Sequence, residues 1–421
     1  MDTISNTQKS QHAVVIGGGI VGICCALSLL HEGFEVTLID PARPGDSTAK
    51  WSCGQLSVGE IIPLSKPGIL TKIPGWMVDQ TGPLALRPKA LPSLMPWFFR
   101  FLGNSRRTRI EDIAGSMASL THHVFNEYKN LLDEETFNQL IVNRPVLQVF
   151  DSQKGVEGEQ GHNQLRRKLG FESRVLSGED IADLEPELKG KFTHGILLPQ
   201  WRFVADTEAF LVSLTEKFIS EGGKRIEATV KQFLEKDHVA SAVILDSGEN
   251  ISADYFVLAA GIGARRFFKQ LNMNVPLQPV AGYQVVVKDS GLKLNHSVIY
   301  GDGGFCFTPM TRGLQIGGTI EFTGDSLQPN FKRAELILQK AKKIFPELNT
   351  TNIESGIGYR PLLPDTKPII DRSQKYNNIL LAIGHGQLGL TLGAITGRLI
   401  TDLAMGRKPA VDLSPFSATR F

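Results

Sequence analysis

The strongest constraint on this chain is Gly17-Gly18-Gly19-Ile20-Val21-Gly22, set between a β-branched run and a helical pattern. Val14-Val15-Ile16 reads as a buried parallel strand, because both of its faces are apolar. The helical pattern that follows runs to Leu30 and stops at Gly33. Glu35 to Ile39 reads as a second strand and ends on Asp40, 18 residues beyond Gly22. This is G-x-G-x-x-G in the strand–turn–helix–strand setting that gives the motif its meaning. Gly17 makes the tight turn, Gly19 lets backbone approach a pyrophosphate, and Gly22 lets helix pack on strand. Amides at the helix N-terminus hold the phosphates, and the Asp40 carboxylate accepts from ribose hydroxyls. The unit predicts a Rossmann-like dinucleotide site. After Asp40 the chain leaves the repeating βαβ pattern for Pro41-Ala42-Arg43-Pro44-Gly45-Asp46-Ser47-Thr48 and the small-residue loop Ser52-Cys53-Gly54-Gln55.

Composition narrows the class. The 421 residues carry 45 Lys+Arg against 43 Asp+Glu, a net charge of +2, which offers no electrostatic footprint for nucleic acid. A hydrophobic fraction of 42% supports a substantial core and excludes disorder as the dominant state. Cys24, Cys25, Cys53 and Cys306 are read as neither a disulfide framework nor a zinc pattern. Residues 109–132 have helical spacing, and the adjacent His122 and His123 in their middle point to different helix faces, so no metal is expected there. No uninterrupted apolar run is long enough to span a bilayer, and the opening residues lack a secretory core, so a cytoplasmic location is expected. Residues 67–109 combine many apolar residues with Arg100, Arg106, Arg107 and Arg109. That stretch fits either a peripheral contact with anionic lipid or an excursion packed on the body as two short helices, since its prolines oppose one long helix.

Further along, strands are expected at 146–150, 195–198, 239–245, 283–287, 298–300, 305–308 and 314–317, the later ones antiparallel by spacing. Asp206 is read as the cap of a helix over 207–220, and a basic helix is expected over 332–345. Tyr255 to Leu258 is an apolar strand ending in Ala259-Ala260-Gly261, where small residues would let a ligand lie on the backbone. Near the C-terminus, the strand Asn378–Ile383 opens into Gly384-His385-Gly386-Gln387-Leu388-Gly389 and a helix to Ala404. Gly389, Gly393 and Gly397 recur every four residues on that helix. Each costs about 1 kcal/mol relative to alanine, so close packing on a cofactor or another helix must offset them. The helix N-terminus also suits an electron-rich ligand.

Together, VVIGGGIVGICCALSLLHEGFEVTLID, CGQLSVG, GPLALRP, DYFVLAAGIGA, GYRPLLPDTKPII and GHGQLGLTLGAITGRLITDL resemble the D-amino-acid oxidase-type flavoprotein superfamily, and most closely its FAD-dependent D-amino-acid dehydrogenases. The resemblance implies an α/β fold: a Rossmann-like FAD-binding domain (1–60, 196–276 and 355–421) and a mainly antiparallel substrate domain (61–195 and 277–354). It places Gly17, Gly19, Ile20, Val21, Gly22, Asp40, Pro41, Ser47, Thr48, Cys53, Gly54 and Gln55 near FAD. Val230, Gly261 and the run Gly384, His385, Gly386, Gln387, Leu388, Gly389, Leu390 and Thr391 join them. Relatives often carry Asn-Ala-Gly where Ser52-Cys53-Gly54 stands here, and Cys53 is read as a noncovalent contact rather than a flavin attachment point.

The implied reaction moves hydride from an amino acid Cα to flavin N5, and the imine hydrolyses to a 2-oxo acid and ammonia. Arg360, in Gly358-Tyr359-Arg360-Pro361, stands where relatives anchor the substrate carboxylate, a task suited to a planar, permanently charged fork. Tyr283 and Tyr359 are candidates for a second carboxylate hydrogen bond, and His385 for a base or a hydrogen-bonding group. A membrane-facing 67–109 would favour a quinone or membrane carrier as electron acceptor. D-proline or hydroxyproline as substrate, and a non-catalytic FAD-bearing electron-transfer subunit, are the alternatives.

Overall fold

The computed structural model describes residues 10–65, 82 and 84–421. Strand His12–Ile16 lies inside a six-stranded sheet, paired in parallel with Glu35–Ile39 on one side and Tyr255–Leu258 on the other. Lys224–Ile226 extends the first edge and Ile379–Ile383 the second, both parallel. Ile369–Arg372 closes the sheet antiparallel. Alternate residues of the central strand enter two different cores. Ala13 and Val15 pack with the helices Ile20–His31, Thr207–Ser220 and Gly389–Ala404. Val14 and Ile16 pack under the three-stranded layer Val230–Lys236, Val239–Leu245 and Asn250–Ser252. A strand covered on both faces needs apolar residues at every position, which is why its sequence shows no alternation.

The N-terminal helix Ile20–His31 crosses the C-terminal helix Gly389–Ala404 at backbone contact. A Cβ at Gly397 would lie 2.5 Å from the Cys24 carbonyl oxygen, and one at Gly393 would lie 3.1 Å from the Cys24 sulfur. The glycine face is therefore spent mainly on the other helix. Gly22 has the same use one turn into its helix, where a Cβ would stand 1.8 Å from the Gly17 carbonyl oxygen. Gly17 itself turns at φ +108°, a conformation open to glycine.

A second, ten-stranded sheet is mostly antiparallel. Its long strand Gln278–Val287 pairs with Gly313–Gly317 and with Ile353–Leu362. The helix Lys332–Ile344 covers one face through Ala334, Ile337 and Ala341. Asp206 caps Thr207–Ser220 as expected, accepting from the amides of Glu208 and Ala209.

Residues 91–103 form one short helix with Pro96 inside it. Trp97, Phe98 and Phe101 bury themselves with Phe322 from that helix, and this aromatic cluster offsets the missing backbone bond of about 3 kcal/mol. The rest of the apolar stretch, 67–81 and 83, falls outside the described residues. The helix expected over 109–132 breaks at His122–His123 into Arg107–Thr121 and Val124–Leu131. His122 leaves the line to stack on Phe171 at 4.5 Å, with Nε2 2.9 Å from the Leu169 carbonyl oxygen. No described helix is long and apolar enough to cross a membrane.

The helix crossing makes opposite forecasts for two glycines. Gly397→Ala should destabilise by roughly 1–3 kcal/mol, since backbone must give way. Gly115→Ala, where a Cβ meets nothing within 4 Å, should be neutral or stabilise by up to about 1 kcal/mol. Urea unfolding of both variants checks the pair, and an equal response would refute the packing argument.

Candidate active site

Four strand ends open into one place. Gly17–Gly19 follows the first strand, Asp40 the second, Ala259–Gly263 the strand Tyr255–Leu258, and Gly384–Gly386 the strand Ile379–Ile383. All are carboxyl ends, where open α/β sheets leave a crevice. The crevice is a cavity of ≈ 400 Å³, inside the range of about 300–1,000 Å³ usual for small-molecule and cofactor sites.

Polar groups at one end of the cavity wait for partners. Gly19 caps the N-terminal helix in extended conformation, and no side chain satisfies the first turn. The Ser47 hydroxyl oxygen is buried without any hydrogen bond. Asp40 takes the Gly18 amide on Oδ2 at 2.6 Å and the Ala42 amide on Oδ1 at 2.7 Å. Each of its oxygens keeps a lone pair for a further donor.

Arg360 sits toward the other end. Its guanidinium occupies the space that a side chain at Gly282 would need: a Cβ there would be 2.4 Å from both terminal nitrogens. Nη1 donates to the Thr319 carbonyl oxygen at 3.1 Å, and no carboxylate pairs with Arg360 among the described residues. Burial pushes its pKa down to about 10, so the side chain stays charged at neutral pH. His385 is buried with Nε2 2.9 Å from the Thr396 hydroxyl, and burial pushes its pKa down to about 3. Its ring is neutral at physiological pH.

Of the residues picked out from sequence, Gly17, Gly19, Ile20, Val21, Asp40, Pro41, Ser47, Thr48, Val230, Gly261, Gly384, His385, Gly386, Gln387, Gly389, Leu390, Tyr359 and Arg360 line the cavity. Gly22, Cys53, Gly54, Gln55, Leu388, Thr391 and Tyr283 do not. Gly54 packs against Met310, where a Cβ would be 2.6 Å from the methyl carbon. Gln55 donates to the Ser297 hydroxyl at 2.7 Å, and the Thr391 hydroxyl accepts the Ser57 amide at 3.0 Å. Leu388 turns toward a small neighbouring void with Glu60 and Met117. Cys53 is bonded to Cys306, with Cα atoms 6.7 Å apart, which corrects the reading of four unpaired cysteines. Two cysteines 253 residues apart carry no local spacing that could announce the bond.

The tyrosines are the second correction. Strand alternation sends Tyr283 to the face opposite Gly282, where its hydroxyl donates to Glu321 at 2.7 Å. Burial there raises its pKa to about 12. Tyr359 reaches the cavity with its backbone, and its hydroxyl donates to the Leu327 carbonyl oxygen. Neither hydroxyl is placed to meet a ligand beside Arg360.

Several lining residues stand outside that selection, Arg266 and Trp51 among them. Arg266 lies beside Val230, with Nη1 3.4 Å from its carbonyl oxygen and no carboxylate partner among the described residues. The run Gly261-Ile-Gly-Ala-Arg-Arg266 directly after a strand end could have flagged it. Trp51 lines the wall with Lys50 and Arg312 within 5.3 and 5.5 Å of its ring.

The profile of the family described as FAD dependent oxidoreductase matches residues 12–403. The chain is 31% identical over 420 residues to a protein named D-amino-acid oxidase from Bradyrhizobium diazoefficiens, covering 98% of this chain and 99% of that one. It is 27% identical over 417 residues to a D-amino acid dehydrogenase of the same bacterium, covering 97% and 98%. Iminodiacetate oxidase from Chelativorans shares the fold, with a TM-score of 0.73 at 20% identity and coverage of 96% and 98%. The cavity suits the cofactor in that description. An uncapped helix end and the orphaned Ser47 hydroxyl would hold phosphates, Asp40 would hold ribose, and the glycine turn Gly384–Gly386 offers bare backbone to a flat ring. A family match running through nearly the whole sequence makes this chain a member of the FAD dependent oxidoreductase family, with FAD as its cofactor.

Proposed function

We propose that the protein oxidises D-amino acids, with Arg360 holding the substrate carboxylate, and that the resulting imine hydrolyses to a 2-oxo acid and ammonia. The observation that carries this reading is the buried, charged guanidinium of a residue that lines the cavity, with no counter-ion among the described residues. An unpaired buried charge is costly unless a ligand completes it. A carboxylate does so with two parallel hydrogen bonds, fixing both position and orientation. FAD, when bound, supplies the two-electron oxidant for the substrate Cα–H bond. Orientation by such a clamp is worth several kcal/mol of barrier. His385 contributes a fixed hydrogen bond through its neutral ring rather than a stored proton, with Thr396 setting its orientation. The names of the two Bradyrhizobium relatives support a D-amino acid as substrate.

For the electron acceptor we propose a quinone or other membrane carrier. Phe99 is 66% exposed on the helix Leu91–Gly103, beside the exposed Arg100, Arg106 and Arg107. We also propose the division into a cofactor part (1–60, 196–276 and 355–421) and a substrate part (61–195 and 277–354).

The Arg360→Ala protein should keep its FAD absorbance but lose anaerobic bleaching by D-amino acids by about 10²-fold or more. Arg360→Lys should recover only part of it, lacking the fork. Bleaching that survives in the alanine variant would remove Arg360 from the site. No bleaching of the wild-type protein by any D-amino acid, cyclic ones included, would favour an electron-transfer subunit.

His385 predicts a pH dependence. Its folded-state pKa of about 3 lies below the ordinary 6.5, so between these values the unfolded chain binds a proton that the folded chain refuses. Its contribution to stability is therefore complete above about pH 6.5 and is lost as pH falls toward 3. Urea midpoints measured from pH 7 to pH 4 should fall less steeply in His385→Asn than in wild type.

A further inference from the structure

We propose that Cys53 and Cys306 form a thiol–disulfide site that fastens the cofactor-side loop to the sheet carrying Arg360, and that small-molecule thiols open and close it. The bond joins the loop after the 3₁₀ turn Thr48–Trp51 to strand Phe305–Met310. Its Cα separation of 6.7 Å fits a disulfide without backbone movement.

The position links the bond to the cavity. Ser52 and Trp51, the two residues before Cys53, line the cavity wall. Cys306 pairs with Gly317, and Gly317 pairs in turn with Gln284, whose Nε2 lies 3.7 Å from the Cys53 sulfur. Gln284 stands two residues from Gly282, the glycine that makes room for Arg360. Residues two apart on a strand share a face, so the disulfide and the guanidinium lie on the same side of the sheet. The Gln284 Oε1 is buried there without a partner. A thiol at this point could donate to it, which the disulfide cannot do.

The four cysteines are not equivalent. Cys24 and Cys25 are fully buried, free, and have thiol pKa values raised by burial, so they are poor nucleophiles. Cys306 is 5% exposed, whereas Cys53 is half-buried. An incoming thiolate therefore attacks the Cys53 sulfur. The Cys53–Cys306 bond breaks, Cys306 leaves as thiolate and takes a proton, and a mixed disulfide forms on Cys53. A second thiol resolves it, so two thiols become one small disulfide and both protein cysteines are reduced. The loop then keeps noncovalent ties, among them the Thr308 hydroxyl to the Cys53 carbonyl at 2.8 Å, the Gln315 amide to the Ser52 carbonyl, and the Arg312 guanidinium to the Lys50 carbonyl at 2.8 Å. Reduction loosens this wall of the cofactor cavity without unfolding it.

The test uses holoprotein equilibrated with oxidised or reduced glutathione, with no amino acid present, so it stands apart from the substrate assignment. After denaturation in iodoacetamide, the oxidised sample should show alkylated Cys24 and Cys25 and a linked Cys53–Cys306 peptide. The reduced sample should show all four cysteines alkylated. FAD release, followed by its fluorescence, should be ~10-fold faster from the reduced sample, a change of about 1.4 kcal/mol. Cys306→Ser should release FAD at the faster rate in both buffers. Four alkylated cysteines under oxidised glutathione would overturn the proposal. Equal release rates from the two wild-type samples would also overturn it, as would a Cys306→Ser variant that still responds to glutathione. If that variant does not fold, the wild-type pair of measurements decides.

Discussion

Backbone contact between the helices Ile20–His31 and Gly389–Ala404 is the constraint on which the rest depends. The Cys24 carbonyl oxygen lies where a Cβ on Gly397 would be 2.5 Å away, so any larger residue would force the helices apart. Each helix begins at a glycine turn, and both turns open at the carboxyl edge of the same sheet. Holding the helices together thus holds two N-termini, nearly 370 residues apart in sequence, on one cavity. Tyr128 reinforces the crossing: its buried hydroxyl donates to the Leu390 carbonyl oxygen at 2.5 Å, beside the Gly393 surface. The glycines cost helix stability, and interhelical packing returns it where the cofactor needs a rigid wall.

That rigidity matters because the cavity is electrostatically incomplete. Among the described residues its helix end has no side-chain cap, Ser47 has no hydrogen bond, and Arg266 and Arg360 have no carboxylate partner. Native interiors rarely leave such groups unsatisfied. A helix end, a hydroxyl and two guanidinium groups that meet at one crevice suit an anionic, hydrogen-bonding ligand. A looser frame would let these groups relax onto one another, and the site would lose its preorganisation.

Much of this was legible in the sequence. The first βαβ unit, the capped helix after Asp206 and the C-terminal strand–turn–helix each rest on local chemistry, and each stands where the residues said. Legibility fails where a neighbour distant in sequence decides. Pro96 lies inside a helix, and only the aromatic partner Phe322, distant in sequence, shows why the helix survives it. His122 was read within one helix, and the ring of Phe171 draws it out. Cys53 was read as free because its partner lies 253 residues away. The glycine stripe was seen correctly, but whether a helix or a cofactor filled it needed the fold.

The tyrosines show how finely the chemistry is divided. Along Gln278–Val287 the even residue Gly282 faces Arg360, while the odd residue Tyr283 faces Glu321. Arg87, on the Glu321 side, forms a two-pronged pair with that carboxylate, which is 1% exposed. The sheet thus presents two arginines on opposite faces. One is neutralised by a buried acid that also accepts from a tyrosine hydroxyl, as stable interiors require. The other has, among the described residues, the Thr319 carbonyl oxygen and no acid. Both have the same side chain, so residue type alone cannot separate the paired cation from the one without an acid. A one-residue shift in register would exchange the two environments. The long pairing of Gln278–Val287 with Ile353–Leu362, ten residues in unbroken register, keeps the uncompensated charge on the cavity side.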